Sequence, residues 1–318
     1  MRPAPSPGSG GGAFAPLDPA QAVSDLYRFI ENPGTRFGTG WSVDDSCGMV
    51  GKGELALCVA RSSSGKSTWM LNVVRNTPRV PTVVVNMEMQ PRLMVRWLLP
   101  MTFDLQASAF EIEAVLRAGP EDDRWQELHD ALNRIPEVYP NLHFVSPPRP
   151  QVEDLRYIVQ DVEDATGIRP ARLFIDHLKL MAGTEKGYEG YTALSANLKA
   201  FAAEEDLAVF VLQQTQRRDG GEANDGHLPV KFGSGVYGGE EDADWMFGIY
   251  RPDRDPKYRK PEHHFSDYGE YLEMRAKHEQ VRGQTIFQVI KNRPFSETNE
   301  DGVTLIYNRH TMRLKEIS

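Results

Sequence analysis

Leu55-Ala56-Leu57-Cys58-Val59-Ala60-Arg61-Ser62-Ser63-Ser64-Gly65-Lys66-Ser67-Thr68 passes from an apolar strand through a turn of small residues into a helix. The turn follows the pattern G-x4-G-K-[S/T], with Ala60 in the first Gly place. Small residues let backbone N–H groups wrap a nucleoside triphosphate. Lys66 then supplies a point charge for the outer phosphates, and the Ser67 hydroxyl supplies a ligand for Mg²⁺. Ala60, Arg61, Ser62, Ser63, Ser64, Gly65, Lys66, Ser67 and Thr68 are therefore the candidate nucleotide-binding residues. A Ser-rich turn before a helix would need neither the buried-type strand in front nor the amphipathic Trp69-Met70-Leu71-Asn72-Val73-Val74 behind.

Outward from this loop, strands and helices alternate. Strands are predicted at 55–59, 82–85, 142–145, 173–175 and 207–212, with later ones at 245–250, 285–290 and 303–307. Helices are predicted from Lys66, at 92–99, 110–117, 121–134, 151–165 and 193–204. This order predicts an α/β fold: a mainly parallel twisted sheet with helices on both faces. In such a sheet the strand ends converge on a ligand at the carboxyl edge.

Four strand ends carry polar chemistry. Leu173-Phe174-Ile175-Asp176 ends in a carboxylate that can hold the Mg²⁺ shell, commonly through water. Val83-Val84-Val85-Asn86-Met87-Glu88-Met89 offers Glu88, which beside a γ-phosphate can orient and deprotonate water. Val211-Leu212-Gln213-Gln214-Thr215-Gln216-Arg217 offers amides that can sense the γ-phosphate. Val289-Ile290-Lys291-Asn292-Arg293-Pro294 carries two cations at alternate positions, which on a strand point the same way. They can act as a finger on a phosphate, often supplied by a neighbouring subunit. Taken singly, the last three also read as a helix cap, a polar turn and an exposed basic turn.

The chain of 318 residues carries a net charge of −9, which argues against an all-over basic surface. Any nucleic-acid contact must come from a local concentration of Lys and Arg. The two cysteines, Cys47 and Cys58, are too few for a zinc cluster or a disulfide framework. No apolar run approaches the length of a membrane span and no signal peptide opens the chain, so a cytoplasmic protein without membrane contact is expected. His263 and His264 lack a second ligand cluster at metal-binding spacing. Residues 1–17, rich in Pro, Gly, Ser and Ala, are expected to be disordered. Residues 18–34 read as a linker helix, opened by Asp18-Pro19 and closed by Asn32-Pro33-Gly34. Its stripe of Val23, Leu26, Phe29 and Ile30 must pack on its own domain or dock on a neighbouring subunit. Residues 35–318 form the main domain.

Together these segments resemble the ATPase domain of DnaB-type replicative helicases, within the RecA-like ATPases. The resemblance runs through Thr39-Gly40-Trp41, Gly51-Lys52-Gly53-Glu54-Leu55, the phosphate loop, Asn86-Met87-Glu88-Met89 and Ile175-Asp176-His177-Leu178-Lys179-Leu180-Met181. It continues through Ser195 with Leu198-Lys199, Gln213-Gln214-Thr215-Gln216-Arg217, Glu240-Glu241-Asp242-Ala243-Asp244 and Lys291-Asn292-Arg293. It implies ATP and Mg²⁺ as cofactors, with Glu88 as the catalytic glutamate, Gln214 as the switch and Lys291 with Arg293 as the finger pair. It also implies a hexameric ring that moves 5′-to-3′ on single-stranded DNA, and a helicase loader or primase as a further partner. The candidate DNA-binding loop is Lys231, Phe232, Gly233, Ser234 and Gly235, where one Lys per subunit would repeat around a ring.

The chain departs from the family in several ways. The separate N-terminal helical domain and a primase domain are not in it, so a compact phage, plasmid or mobile-element form is expected. His177 stands where the family commonly has Tyr. The segments 217–240 and 253–282 are enlarged. Two other readings stay open: a RecA-like recombination or strand-annealing ATPase that does not unwind, and a nucleotide-dependent scaffold or signalling ATPase.

Overall fold

The structure, a computed structural model, describes residues 19–20, 23–24, 35–215, 226–233, 239–260 and 262–317. The chain divides into a unit 1–35 and a unit 36–318. In the first unit Pro19–Ala20 and Val23–Ser24 are helical and Val23 is exposed. The rest of the predicted stripe, Leu26, Phe29 and Ile30, lies outside the described residues, as does the tail 1–17.

The second unit contains eleven described strands and eight described helices. In chain order they are β1 (Arg36–Phe37), α1 (Val43–Cys47), β2 (Val50–Gly51), β3 (Leu55–Ala60), α2 (Lys66–Asn76), β4 (Thr82–Asn86), α3 (Pro91–Thr102), α4 (Ile112–Ala118), α5 (Trp125–Val138) and β5 (Leu142–Val145). There follow α6 (Val152–Thr166), β6 (Arg172–Asp176), α7 (Tyr188–Glu205), β7 (Ala208–Gln214), β8 (Trp245–Tyr250), α8 (Tyr268–Val281), β9 (Gln284–Asn292), β10 (Asn299–Tyr307) and β11 (Leu314–Glu316). β1 and β2 form a separate short pair. The other nine strands form one sheet in the order β11-β10-β9-β8-β3-β7-β6-β4-β5. From β8 to β5 every pairing is parallel, and from β8 to β11 every pairing is antiparallel. The predicted α/β sheet, mainly parallel with helices, is the one observed.

β3 is the central strand of the nine, paired in parallel on both sides, and all six of its residues are buried. A strand covered on both faces needs apolar side chains in both directions, which explains its unbroken run. Ala56, Cys58 and Ala60 join one core with Trp69, Met70 and Val73 of α2. Leu55, Leu57 and Val59 join the opposite core with Leu194, Leu198 and Phe201 of α7 and Leu155 of α6. The two-residue period of the strand makes this split. Each fully buried large apolar side chain contributes roughly 1.5–3 kcal/mol before entropy costs. Trp69 anchors the first core, its ring centroid 5.4 Å from that of Phe287 and 6.0 Å from that of Phe247.

Three departures from the predicted elements have local causes. α7 begins at Tyr188 rather than 193 because Gly190, read as loop, packs as a buried residue in its first turn. α8 was not predicted: none of its residues is buried, so it carries no apolar stripe to read. Its start is held by Asp267, whose side chain accepts from the Glu270 N–H (2.8 Å). β10 starts at Asn299, four residues before the predicted 303, across an irregularity between Asn299 and Val303 that contains Gly302 at φ +78°.

Candidate functional site

β3 ends at Ala60, and the chain turns through Arg61, Ser62, Ser63 and Ser64 to Gly65, the N-cap of α2. Gly65 takes φ +97°, left-handed backbone in which a Cβ would be strained. The Ser64 N–H donates to Arg61 O (3.1 Å), closing the turn, and the Trp69 N–H donates to Gly65 O (2.8 Å), opening the helix. A helix start leaves backbone N–H groups without intrahelical partners and carries partial positive charge, which favours a phosphate. Lys66, the first residue of α2, is buried, with Nζ 3.3 Å from Arg61 O and 3.5 Å from Ala60 O. Burial pulls its ammonium pKa down, while Asp176 and, less strongly, Cys58 and Glu88 pull it up. Gly226 approaches this loop so closely that a Cβ there would collide with Ser64 Oγ.

β6 ends at Asp176, which is fully buried. Its Oδ2 accepts from Ser67 Oγ at 2.6 Å and from Asn86 Nδ2 at 3.1 Å. Its Oδ1 is buried and has no hydrogen-bond partner among the described residues. Burial raises the Asp176 carboxyl above the ordinary value and Glu88 adds repulsion, while Ser67, Lys66 and Asn86 oppose them.

β4 lies beside β6 and ends at Asn86, directly opposite Asp176 in the parallel register. Two residues on, Glu88 is exposed, with Oε2 3.4 Å from Nδ1 of the buried His177. Burial lowers the His177 pKa, which favours a neutral imidazole. Glu88, Asp176 and His177 offer ligand atoms that all lie within 4.8 Å of one another. His263 and His264 belong to no such group among the described residues.

Between β3 and β6, Gln214 of β7 stands opposite Ala60, and the Thr215 N–H donates to Ala60 O (3.1 Å). Phosphate loop, Asp176, Asn86 and Gln214 thus share one edge of the sheet. Gln216 and Arg217 lie outside the described residues.

Lys291 and Arg293 lie at the other edge. β9 is antiparallel to β8, so its last residues sit where the parallel strands begin. The Arg293 N–H donates to Asp244 O, and the Asp244 N–H donates to Leu55 O. From Leu55 to Ala60 is five steps along the strand, about 16 Å at ~3.3 Å per residue. The predicted convergence of all strand ends on one edge therefore does not include this pair within a single chain. Instead, Lys291 Nζ donates to Glu240 O (2.7 Å) and Glu241 O (3.0 Å), and Arg293 donates to Glu241 O (2.7 Å). Lys199 fixes the same loop by pairing with Asp244 (2.6 Å), and Ser195 fixes it by donating to Gly239 O (3.0 Å).

Of the candidate DNA loop, Lys231, Phe232 and Gly233 are described and exposed, while Ser234 and Gly235 lie outside the described residues. The Phe232 ring is 5.8 Å from Lys291 Nζ, and the Gly233 N–H donates to Glu240 Oε2. Among the described residues no helix is long and apolar enough to cross a membrane.

Asn86 received no role of its own in the sequence reading. Its signal was position alone: a polar residue closing a five-residue buried strand.

This chain is similar to two proteins described as replicative DNA helicase DnaB. The one from Helicobacter pylori is 27% identical over 219 residues, 66% of this chain and 42% of that protein. The one from Treponema pallidum is 27% identical over 218 residues, 66% of this chain and 46% of that protein. The chain therefore spans less than half the length of these curated relatives. Among solved structures, the ATPase domain of G40P overlays with a TM-score of 0.74 at 19% identity, covering 96% of this chain and all of that one. A DnaB-like replicative helicase, described together with its interactions with primase, overlays with a TM-score of 0.71 at 18% identity, covering 96% of this chain and 68% of that one. These likenesses share the RecA-like fold described above. Residues 39–316 match the family described as DnaB-like helicase C terminal domain, and the chain belongs to that family.

Proposed function

We propose that this chain is the ATP-hydrolysing motor of a ring-shaped helicase that translocates on single-stranded DNA. One observation carries the reading: the ends of β3, β6 and β4 bring Lys66, Ser67, Asp176 and Glu88 to one place. Lys66 neutralises the outer phosphates, helped by the N–H groups of Arg61 to Thr68. Mg²⁺ fits beside them. Ser67 Oγ gives its one proton to Asp176 and keeps its lone pairs, and Asp176 keeps a buried oxygen with no hydrogen-bond partner among the described residues. Ser67 and Asp176 would hold the ion, which supplies charge neutralisation at the phosphates. Glu88, exposed beside them, takes the proton of the attacking water. Gln214, opposite Ala60, reports the state of the γ-phosphate to the loop that follows it.

Lys291 and Arg293 stand at the edge of the sheet away from their own phosphate loop. That placement suits a finger reaching into the site of a neighbouring subunit, and so a homo-oligomer, read here as a hexamer. Lys231, Phe232, Gly233, Ser234 and Gly235 form the DNA-facing loop, moving 5′-to-3′. A primase or a loader is the expected protein partner, and a bacterial or phage-infected cytoplasm the expected compartment.

Unwinding of a forked duplex tests the reading against its alternatives. Strand separation that requires hydrolysable ATP supports the helicase. Pairing of complementary strands without unwinding identifies a recombination or annealing ATPase. Neither activity, with ATPase indifferent to DNA, identifies a scaffold.

A further inference from the structure

Asn86 closes β4 and is 1% exposed. Every polar atom of its side chain has work within reach. Oδ1 accepts from the Glu88 N–H (2.8 Å) and the Met89 N–H (2.5 Å). Nδ2 donates to Asp176 Oδ2 (3.1 Å). The orientation of the amide follows from these partners, since two N–H groups need an oxygen and a carboxylate needs a donor. The Met87 N–H also donates to Asp176 O (3.0 Å), so the chain leaving β4 is pinned to the end of β6 at both backbone and side chain.

We propose that Asn86 is the positioning residue that sets Glu88 relative to Asp176. This inference rests on the reading of Glu88 as the base for water. Glu88 itself is exposed, and its carboxylate lies 3.4 Å from His177 Nδ1. Its place in space comes from its backbone, and the Asn86 carbonyl holds that backbone in a short side-chain-to-backbone turn. The same amide holds Asp176, the carboxylate that would serve the metal. One side chain thereby fixes the spacing between the group that acts on water and the group that serves the nucleotide. A general base displaced by about 1 Å can lose ~10²-fold in rate. An amide serves here and a carboxylate does not: Asp at 86 would face Asp176 Oδ2 with like charge and no donor.

A double-mutant cycle tests this, with single-turnover ATP hydrolysis, binding of a fluorescent ATP analogue and thermal melting measured on each variant. Asn86→Ala is expected to slow hydrolysis about 10- to 100-fold. Analogue affinity should stay within about three-fold, because Ser67 still holds Asp176. In a Glu88→Gln background, the same Asn86→Ala change should slow hydrolysis further by less than about three-fold, since the base it positions is gone. An equal loss in both backgrounds overturns the proposal and makes Asn86 a general structural residue. Wild-type hydrolysis by Asn86→Ala, with Glu88→Gln inactive, overturns it while leaving Glu88 as the base. Near wild-type hydrolysis by Glu88→Gln removes the base and the proposal together. Should Asn86→Ala melt below the assay temperature, Asn86→Asp keeps the shape and the acceptor but not the donor. It is expected to lose at least about ten-fold, and an unchanged rate in it overturns the proposal.

Discussion

Ser67 Oγ donates a 2.6 Å hydrogen bond to Asp176 Oδ2, across 109 residues of chain. It joins the first turn of α2 to the end of β6, although β7 lies between β3 and β6 in the sheet. The contact sets a hydroxyl next to a carboxylate whose other oxygen has no hydrogen-bond partner among the described residues and which interacts electrostatically with Lys66. The expected effects of substitution follow from which group each residue touches.

Lys66→Ala and Glu88→Gln should separate binding from chemistry. Lys66 is buried at the loop; in the proposed role it holds the outer phosphates, so its loss should weaken both nucleotide binding and turnover. Glu88 is the proposed base for water and not a phosphate contact, so Glu88→Gln should bind ATP and hydrolyse it about 10²-fold more slowly or worse. Titration with a fluorescent ATP analogue beside steady-state turnover checks both. Turnover by Glu88→Gln close to wild type would remove it as the base.

Asp176→Asn should cost activity and add stability. Burial raises the Asp176 carboxyl pKa in the native chain, with Glu88 adding repulsion. Between the ordinary and the raised value the native state holds more protons than the unfolded one, so stability from this group falls as pH rises through that interval. At neutral pH, above the ordinary carboxylate range, burying this carboxyl costs stability that Asn does not lose. Without nucleotide, Asp176→Asn should melt about 2 °C or more above wild type at neutral pH. The gap should close as pH falls below the ordinary carboxylate pKa. A variant that melts lower at neutral pH would show that the charged form is the one the fold prefers.

Arg293→Ala should hydrolyse ATP poorly with its own phosphate loop intact, because Arg293 lies at the opposite edge of the sheet. Mixed with Lys66→Ala protein, it should form some interfaces with a complete loop on one side and a complete finger on the other. Partial recovery of ATPase in the mixture is the expected result. No recovery despite demonstrated subunit exchange would argue that the site is not shared.

Lys231→Ala should weaken binding of single-stranded DNA while leaving ATPase without DNA unchanged. A phosphate contact is electrostatic, so the wild-type affinity should fall with salt and the variant's salt slope should be shallower. Identical slopes would place the DNA contact elsewhere, with 253–282 and its exposed α8 the next segment to test.

The parts of the site that were legible in the sequence are those whose chemistry is local. Ala60 to Thr68 reads as a loop because strand, turn and helix are contiguous, and Asp176 reads as a strand end because Leu173, Phe174 and Ile175 precede it. Strand direction is not local, so the placement of Lys291 and Arg293 at the far edge was not legible: nothing in 284–292 says that β9 runs against β8. Asn86 escaped for a related reason. Its partners are Asp176, ninety residues away, and two backbone N–H groups that no residue type reveals. α8 escaped because a helix with no buried face has no period to detect. The extent of α7 was hidden by Gly190, whose residue type signals a turn while its position is helical and buried.

Steady-state ATPase with and without single-stranded DNA tests the central claim most directly, with Lys66→Ala as the control. A motor that moves on DNA must couple hydrolysis to it. Turnover should therefore rise several-fold with saturating single-stranded DNA of any sequence, the rise should shrink with added salt, and Lys66→Ala should show neither basal nor stimulated activity. Turnover that is abolished by Lys66→Ala yet identical with and without DNA, at low salt, would contradict the account and leave an ATPase that works for some other purpose.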